Sequence, residues 1–262
     1  MRYTITSQHL THRILAAKTG TALPKMGKHV LIACMPKSGS TFLAKVIANV
    51  PGMHDVSLTY GYERREQELC PAACALTHEL NYVAQHHVRY SGATQKILTV
   101  FDIYPVILMR SIFDCVVSLR DHLERESMEI PIAYLPPQIL QLPKEKQYDL
   151  IIDFAVPWYA NFFACWSEYK GRGMRVLYRE LIQDVRGTIA KILREVQMDT
   201  SYELIDAAIE KAMKQDVRFN VGKVGRGHEE LSSRQIARIE ELFSNYSALE
   251  GVDDILRLKT AC

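Results

Sequence analysis

His29-Val30-Leu31-Ile32-Ala33-Cys34-Met35-Pro36-Lys37-Ser38-Gly39-Ser40-Thr41-Phe42-Leu43 decides the fold of this chain. An apolar run of strand length ends in Pro-Lys-Ser-Gly-Ser-Thr, and a helix-compatible stretch from Phe42 to Val50 follows at once. Strand, tight turn and helix N-terminus in that order aim backbone N–H groups and a helix dipole at one spot. Such a spot is a ready site for phosphate. Lys37 adds a full positive charge to it.

The turn departs from the ATP-binding P-loop, which needs G-x-x-x-x-G-K-[ST]. With Gly39 on the second glycine, Ser40 falls where the lysine belongs and Cys34 where the first glycine belongs. The lysine instead precedes Gly39 by two residues. The anion cradle is P-loop-like, with its charge moved.

Pro36-Lys37-Ser38-Gly39-Ser40-Thr41-Phe42 resembles the 5′-phosphosulfate loop of the sulfotransferases, commonly written PKSGTTW. Those enzymes use 3′-phosphoadenosine 5′-phosphosulfate (PAPS) as sulfuryl donor. The resemblance implies that the loop amides hold the 5′-phosphate. It also implies that Lys37 reaches the oxygen bridging phosphate and sulfate, and that Phe42 stacks on adenine. A second stretch resembles the family's 3′-phosphate motif. Val106-Ile107-Leu108-Met109 is an apolar run ending at Arg110, an Asp follows in the turn, and Ser118 lies eight residues after the Arg. Arg offers a planar fork to a dianionic phosphate, and Ser118 adds a neutral donor.

Tyr82-Val83-Ala84-Gln85-His86-His87-Val88 reads as a short strand. In the cytosolic branch of the family a strand ending in Lys-Thr-His-Leu-Pro carries the catalytic base, some twenty residues before the 3′-phosphate Arg. His87 precedes Arg110 by 23 residues. Neighbouring strand residues face opposite sides, so one of the two histidines faces the site, and His87 is favoured over His86. His78 lies too far from Arg110, and the seven histidines other than His86 and His87 read as surface or packed residues.

Two weaker matches complete the resemblance. Met174-Arg175-Val176-Leu177-Tyr178-Arg179-Glu180-Leu181 resembles the family's strand ending in Tyr-Glu-Asp-Leu, which implies that Tyr178 helps hold the adenine. The loop Arg218-Phe219-Asn220-Val221-Gly222-Lys223-Val224-Gly225-Arg226-Gly227 resembles the glycine-punctuated basic loop that closes over the 3′-phosphate. Gly222 and Gly225 match its glycines. Lys223 and Arg226 are the candidates for its positive charge, and which of them acts stays open.

With 262 residues, 48% of them hydrophobic and 24% charged, the chain can bury a full core. A net charge of +2 is too mild for a nucleic-acid partner. Residues 1–28 read as a mildly basic leader or extension without the apolar core of a signal peptide. Residues 29–262 read as a single domain, with insertions near 51–81 and 126–147 that shape the acceptor pocket. Leu150 to Trp166 is apolar, but Asp153, Pro157 and Asn161 interrupt it, which suits a buried helix and not a membrane span. Six cysteines without a paired C-x-x-C framework suit free thiols in a reducing cytoplasm. No metal cluster is visible in the sequence.

Strands are expected near 29–35, 82–88, 105–109 and 174–178. Helices are expected near 40–50, 113–125, 148–170, 187–197, 201–215 and 233–245. The last starts with Ser232 as N-cap, Gln235 at the third helical position and a Leu231–Ile236 staple. Unpatterned apolar strands between helices make this an α/β chain of three layers, a mostly parallel sheet flanked by helices. Phosphate loops at the strand carboxyl ends fit the rule for ligand sites in such sheets.

The expected reaction is in-line sulfuryl transfer from PAPS, with no metal, to a small-molecule, lipid or sugar hydroxyl. Lys37 and His87 are its catalytic residues. Two rival readings are a P-loop-type nucleotide-dependent kinase and a catalytically silent nucleotide-binding protein of the same fold. The acceptor and the oligomeric state are not legible.

Overall fold

The computed structural model describes residues 7–59, 67–130, 132–215, 224–246 and 251–256. In chain order the elements begin with α1 (Ser7–Thr19), β1 (His29–Cys34), α2 (Ser40–Asn49), β2 (His54–Asp55), α3 (Pro71–Thr77), β3 (Tyr82–His86), α4 (Gly92–Val100) and β4 (Ile103–Met109). They continue with α5 (Ile112–Arg125), α6 (Lys144–Ser167), β5 (Met174–Leu177), α7 (Tyr178–Gln183), α8 (Val185–Glu195), α9 (Tyr202–Lys214), α10 (Arg226–Glu230), α11 (Ser233–Phe243) and α12 (Val252–Leu256). Among the described residues the sheet has five strands in the order β2-β3-β1-β4-β5, and every pairing is parallel.

All six residues of β1 and all seven of β4 are buried, as expected of strands covered on both faces. Their side chains alternate between two apolar clusters. Leu31, Ala33, Ile107 and Met109 face a layer built from α1, α3, α4, α5, α6 and α11. Val30, Ile32, Val106 and Leu108 face the layer of α2, α8 and α9. Each fully buried Leu, Ile or Val contributes roughly 1.5–3 kcal/mol, so the central strands anchor both layers.

Residues 7–19, read from sequence as part of a leader, form a helix that adds Ala16 and Ala17 to the first cluster. The helix expected near 148–170 runs from Lys144 to Ser167 and passes through Pro157. Proline removes one backbone hydrogen bond there. Burial of Tyr159, Phe162, Phe163 and Trp166 holds the helix across the gap. The capping box at α11 forms as expected, Ser232 Oγ accepting from the Gln235 amide and Gln235 Oε1 from the Ser232 amide. No disulfide links Cys34, Cys70, Cys74, Cys115 or Cys165. Among the described residues no helix is long and apolar enough to cross a membrane.

Register fixes where the site lies. Cys34 pairs with Leu108, Ala33 with His86, and Met109 with Leu177. The carboxyl ends of β1, β3, β4 and β5 are therefore level. Lys37, His87, Arg110 and Tyr178 lie just beyond them, at one edge of the sheet.

Candidate active site

The loop after β1 is shaped by two left-handed residues, Lys37 at φ 66° and Gly39 at φ 85°. A Cβ on Gly39 would lie 2.7 Å from the Tyr178 ring, so this glycine serves both the turn and a close approach. No side chain caps α2 at its N-cap Gly39, and helical geometry leaves the first-turn amides without intrahelical acceptors. Ser38 behaves differently from expectation. Its amide and its hydroxyl both donate to the Met35 carbonyl, at 3.2 and 2.6 Å, and its side chain is fully buried. The donors that face outward therefore start at Gly39 rather than at Ser38. Tyr159 of α6 fixes the loop from below by donating its hydroxyl to the Pro36 carbonyl at 3.1 Å.

Arg110 joins the two phosphate motifs. It follows the last residue of β4, is 7% exposed, and donates to the Lys37 carbonyl at 3.0 Å. Its guanidinium stacks over the Tyr178 ring at 4.3 Å from the centroid and stands 3.9 Å from the Asp114 carboxylate. Burial pushes the Tyr178 phenol up, against the opposing pull of Arg110. Asp114 also accepts from the amides of Gly225 and Gly227 at 3.0 and 2.9 Å. The end of the glycine-punctuated loop is thereby tied to the helix that carries Ser118. Gly222 and Lys223 lie outside the described residues. Arg226 does not wall the cavity. Its guanidinium pairs with Asp121 at 2.9 Å and with Glu230 at 2.8 Å, so its charge is already matched by carboxylates.

The two adjacent histidines separate cleanly. His86 is buried, and its Nε2 accepts from the Leu58 amide at 2.8 Å. Burial, aided by the neighbouring His87, pulls its pKa down to about 4. His86 is thus a neutral packing residue that pins the segment following β2. His87 lies on the other face with Gln85, where both wall the cavity. Its Nδ1 stands 2.9 Å from the Cys34 carbonyl. A carbonyl only accepts, so Nδ1 carries a proton, and in the neutral ring Nε2 carries the lone pair. Trp158 packs edge-on against the ring at 6.4 Å between centroids.

One cavity is walled by Lys37, Gly39, Ser40, Thr41 and Phe42 from the loop and α2, by His87, by Arg110, by Ser118 of α5 and by Tyr178 of α7. Leu119, Ile130 and Ile182 add apolar wall. His122 also lines it, and its Nδ1 stands 3.0 Å from Glu126, whose other oxygen is 3.7 Å from the Lys37 ammonium. Sequence reading missed this histidine. The signal was the four-residue spacing Arg110, Asp114, Ser118, His122, Glu126, a ladder of polar groups along one side of a mostly buried helix.

No protein-family model matches the chain, and no curated protein matches it. Solved structures do. The mouse sulfotransferase SULT7A1 complexed with PAP aligns at TM-score 0.66 and 16% identity, over 98% of this chain and 96% of that one. Retinol dehydratase in complex with androsterone and the inactive cofactor PAP aligns at 0.58 and 14%, over 93% of this chain and 87% of that one. Sulfotransferase STF1 from Mycobacterium tuberculosis aligns at 0.51 and 11%, over 90% and 81% respectively. At such identities the likeness is one of fold.

Proposed function

From the premise that the chain has the sulfotransferase fold, we propose that it is an enzyme that moves a sulfuryl group from PAPS to a hydroxyl of a small-molecule, lipid or sugar acceptor. One observation carries this reading: Lys37, Phe42, His87, Arg110, Ser118 and Tyr178, drawn from separate stretches of the chain, wall a single cavity. Each is a position that the motifs assign to the donor or the base. The PAP complexes of the structural neighbours support PAPS as the donor here.

The residues fit that donor chemically. Phe42 and Tyr178 offer aromatic faces to a purine. Arg110 and Ser118 offer a charged fork and a hydroxyl to the 3′-phosphate. The first-turn amides of α2 and the Lys37 ammonium meet the 5′-phosphosulfate. Asp114, by tying Gly225 and Gly227 beside Arg110, supports a role for the preceding loop, Gly222 and Lys223 included, in closing over the 3′-phosphate. Arg226, outside the cavity wall and paired with Asp121 and Glu230, is assigned no direct contact with the donor.

In the transfer step His87 takes the acceptor's proton on Nε2, the nitrogen that the Cys34 hydrogen bond leaves with the lone pair. The acceptor oxygen bonds to sulfur as the bond from sulfur to the 5′-phosphate oxygen breaks, and the electron pair stays on the phosphate. Lys37 and the loop amides stabilise that developing charge, which is usually the largest catalytic contribution. Arg110 and Ser118 hold the donor in line from its far end. No step is assigned to a metal.

Leu119, Ile130 and Ile182 in the wall, with Trp158 against His87, favour an acceptor with an apolar body and one hydroxyl. The androsterone complex of a neighbour supports the same class. We take residues 29–262 as one catalytic domain whose segments near 51–81 and 126–147 shape the acceptor side. Buried and half-buried thiols without disulfides suit a reducing, cytoplasmic setting. The test is transfer of labelled sulfate from PAPS to a panel of phenols and alcohols by wild type and His87→Ala. Transfer by wild type, abolished in the variant with PAP binding intact, is the expected result. Equal transfer by both removes His87 from the mechanism, and PAP binding without transfer by the wild type identifies a silent binder.

A further inference from the structure

His122 and Glu126 lie one helical turn apart near the end of α5 and have no part in the reading above. Both are tied to the centre of the site. His122 walls the same cavity as His87. Glu126 is shared, 3.0 Å from the His122 ring through one oxygen and 3.7 Å from Lys37 through the other.

The two cavity histidines have different partners. The Nδ1 of His87 meets a backbone carbonyl, which supplies a dipole. The Nδ1 of His122 meets a carboxylate, which supplies the counter-charge that an imidazolium needs. One site thus holds two imidazoles in different settings, one hydrogen-bonded to a carbonyl and one backed by a carboxylate, which lets the second serve as an acid beside the first as a base. Position agrees. The ladder runs from Arg110, just before α5, to Ser118 on it, both assigned to the 3′-phosphate, and reaches His122 about 6 Å beyond Ser118 along the helix axis. The carboxylate that His122 shares with Lys37 sets it at the end where the bond to sulfur breaks.

We propose that His122, backed by Glu126, is a second catalytic residue, the general acid that protonates the departing 5′-phosphate oxygen while His87 takes the acceptor's proton. This rests on the sulfotransferase reading. The new bond joins acceptor oxygen to sulfur, and the bond broken joins sulfur to the phosphate oxygen, which keeps the electron pair and receives a proton from Nε2 of His122. The acceptor's proton passes to Nε2 of His87. Solvent then reprotonates His122 and deprotonates His87, so protons balance over a turnover. Lys37 remains the electrostatic partner of the same oxygen, and Glu126 is a positioning residue.

The experiment measures PAP affinity by calorimetry and turnover of PAPS with 2-naphthol and with water as acceptors, for wild type, His122→Ala and His122→Gln. In both variants PAP affinity is expected to stay within about threefold, while kcat falls roughly a hundredfold, the scale of general acid catalysis. Added imidazole should restore part of the activity of His122→Ala. His122→Gln keeps an amide for Glu126 and leaves no room for imidazole, so it should stay folded, slow and unrescued. A kcat within a few fold of wild type in His122→Gln, or no rescue of a folded His122→Ala, overturns the assignment while the donor reading stands. A wild type that binds no PAP overturns both readings, and one that binds PAP without any turnover overturns both proton-transfer roles.

Discussion

Lys37 keeps its backbone at φ 66°, a region unfavourable to a residue with a Cβ. Arg110 holds it there by donating to its carbonyl. The clamp fixes the Lys37 main chain at the cavity wall, and Glu126 stands 3.7 Å from its ammonium. Lys37→Ala should lower kcat by two to three powers of ten, the scale for losing an oxyanion stabiliser, with a much smaller change in KM for PAPS. A steady-state comparison checks this, and a near-normal kcat would remove Lys37 from the chemistry. The histidines give a paired test. His86→Ala leaves the buried Leu58 amide without its acceptor, so it should destabilise by about 1–3 kcal/mol and leave the kcat of the folded enzyme near wild type. His87→Ala should do the reverse. Chemical denaturation alongside turnover separates the two. Lys37, Phe42, Arg110 and Ser118 were legible because local motifs with fixed spacing mark them. His122 and Glu126 were not, because their meaning depends on α5 passing beside the loop after β1, a tertiary fact. Ser38 is the exception among the loop amides, because nothing local signals that its amide and hydroxyl both turn back to Met35.

Among the elements, the loop after β1 with α2 supplies the largest share of the cavity wall, α5 adds Ser118, Leu119 and His122, and α10 is fastened to α5. Asp114 is 1% exposed and accepts from both glycine amides at the start of α10 while facing Arg110. Gly227 has no room for a Cβ, which would collide with the backbone and side chain of Phe113. Gly227→Ala should therefore displace α10, cost about 1–3 kcal/mol of stability, and weaken PAP binding by roughly tenfold, about 1.4 kcal/mol. Thermal denaturation and calorimetry read the two effects separately. Unchanged PAP affinity in a folded Gly227→Ala would detach α10 from the donor site. The long apolar strands and amphipathic helices were legible from periodicity. The short helices α3 and α10 were not, since seven and five residues carry too little pattern. At α7 the expected strand ended one residue late, and Tyr178 opens a helix instead.

For the molecule as a whole, burial of neutral histidines sets an acid limit. Burial pulls both His78 and His86 down to about 4 from an ordinary 6.5. The unfolded chain binds these protons as pH drops below 6.5, and the folded chain does not until about 4. Stability is therefore full above 6.5 and is lost between 6.5 and about 4, on the order of 2–3 kcal/mol for each group. Tm should hold level from pH 8 to 7 and then fall. In His86→Gln, whose amide oxygen replaces the acceptor for Leu58, the fall should be shallower, and an unchanged slope would exclude His86 as a contributor. The sheet order and the level carboxyl ends of β1, β3, β4 and β5 turn these separate residues into one site. The central claim is that this site is built for a 3′-phosphorylated adenosine donor. Calorimetric titration with 3′-phosphoadenosine 5′-phosphate, set against ATP with Mg²⁺, tests it most directly. Micromolar binding of the former, lost in Arg110→Ala, with little binding of the latter is the predicted result. Preference for Mg-ATP, or binding of neither nucleotide, would contradict it.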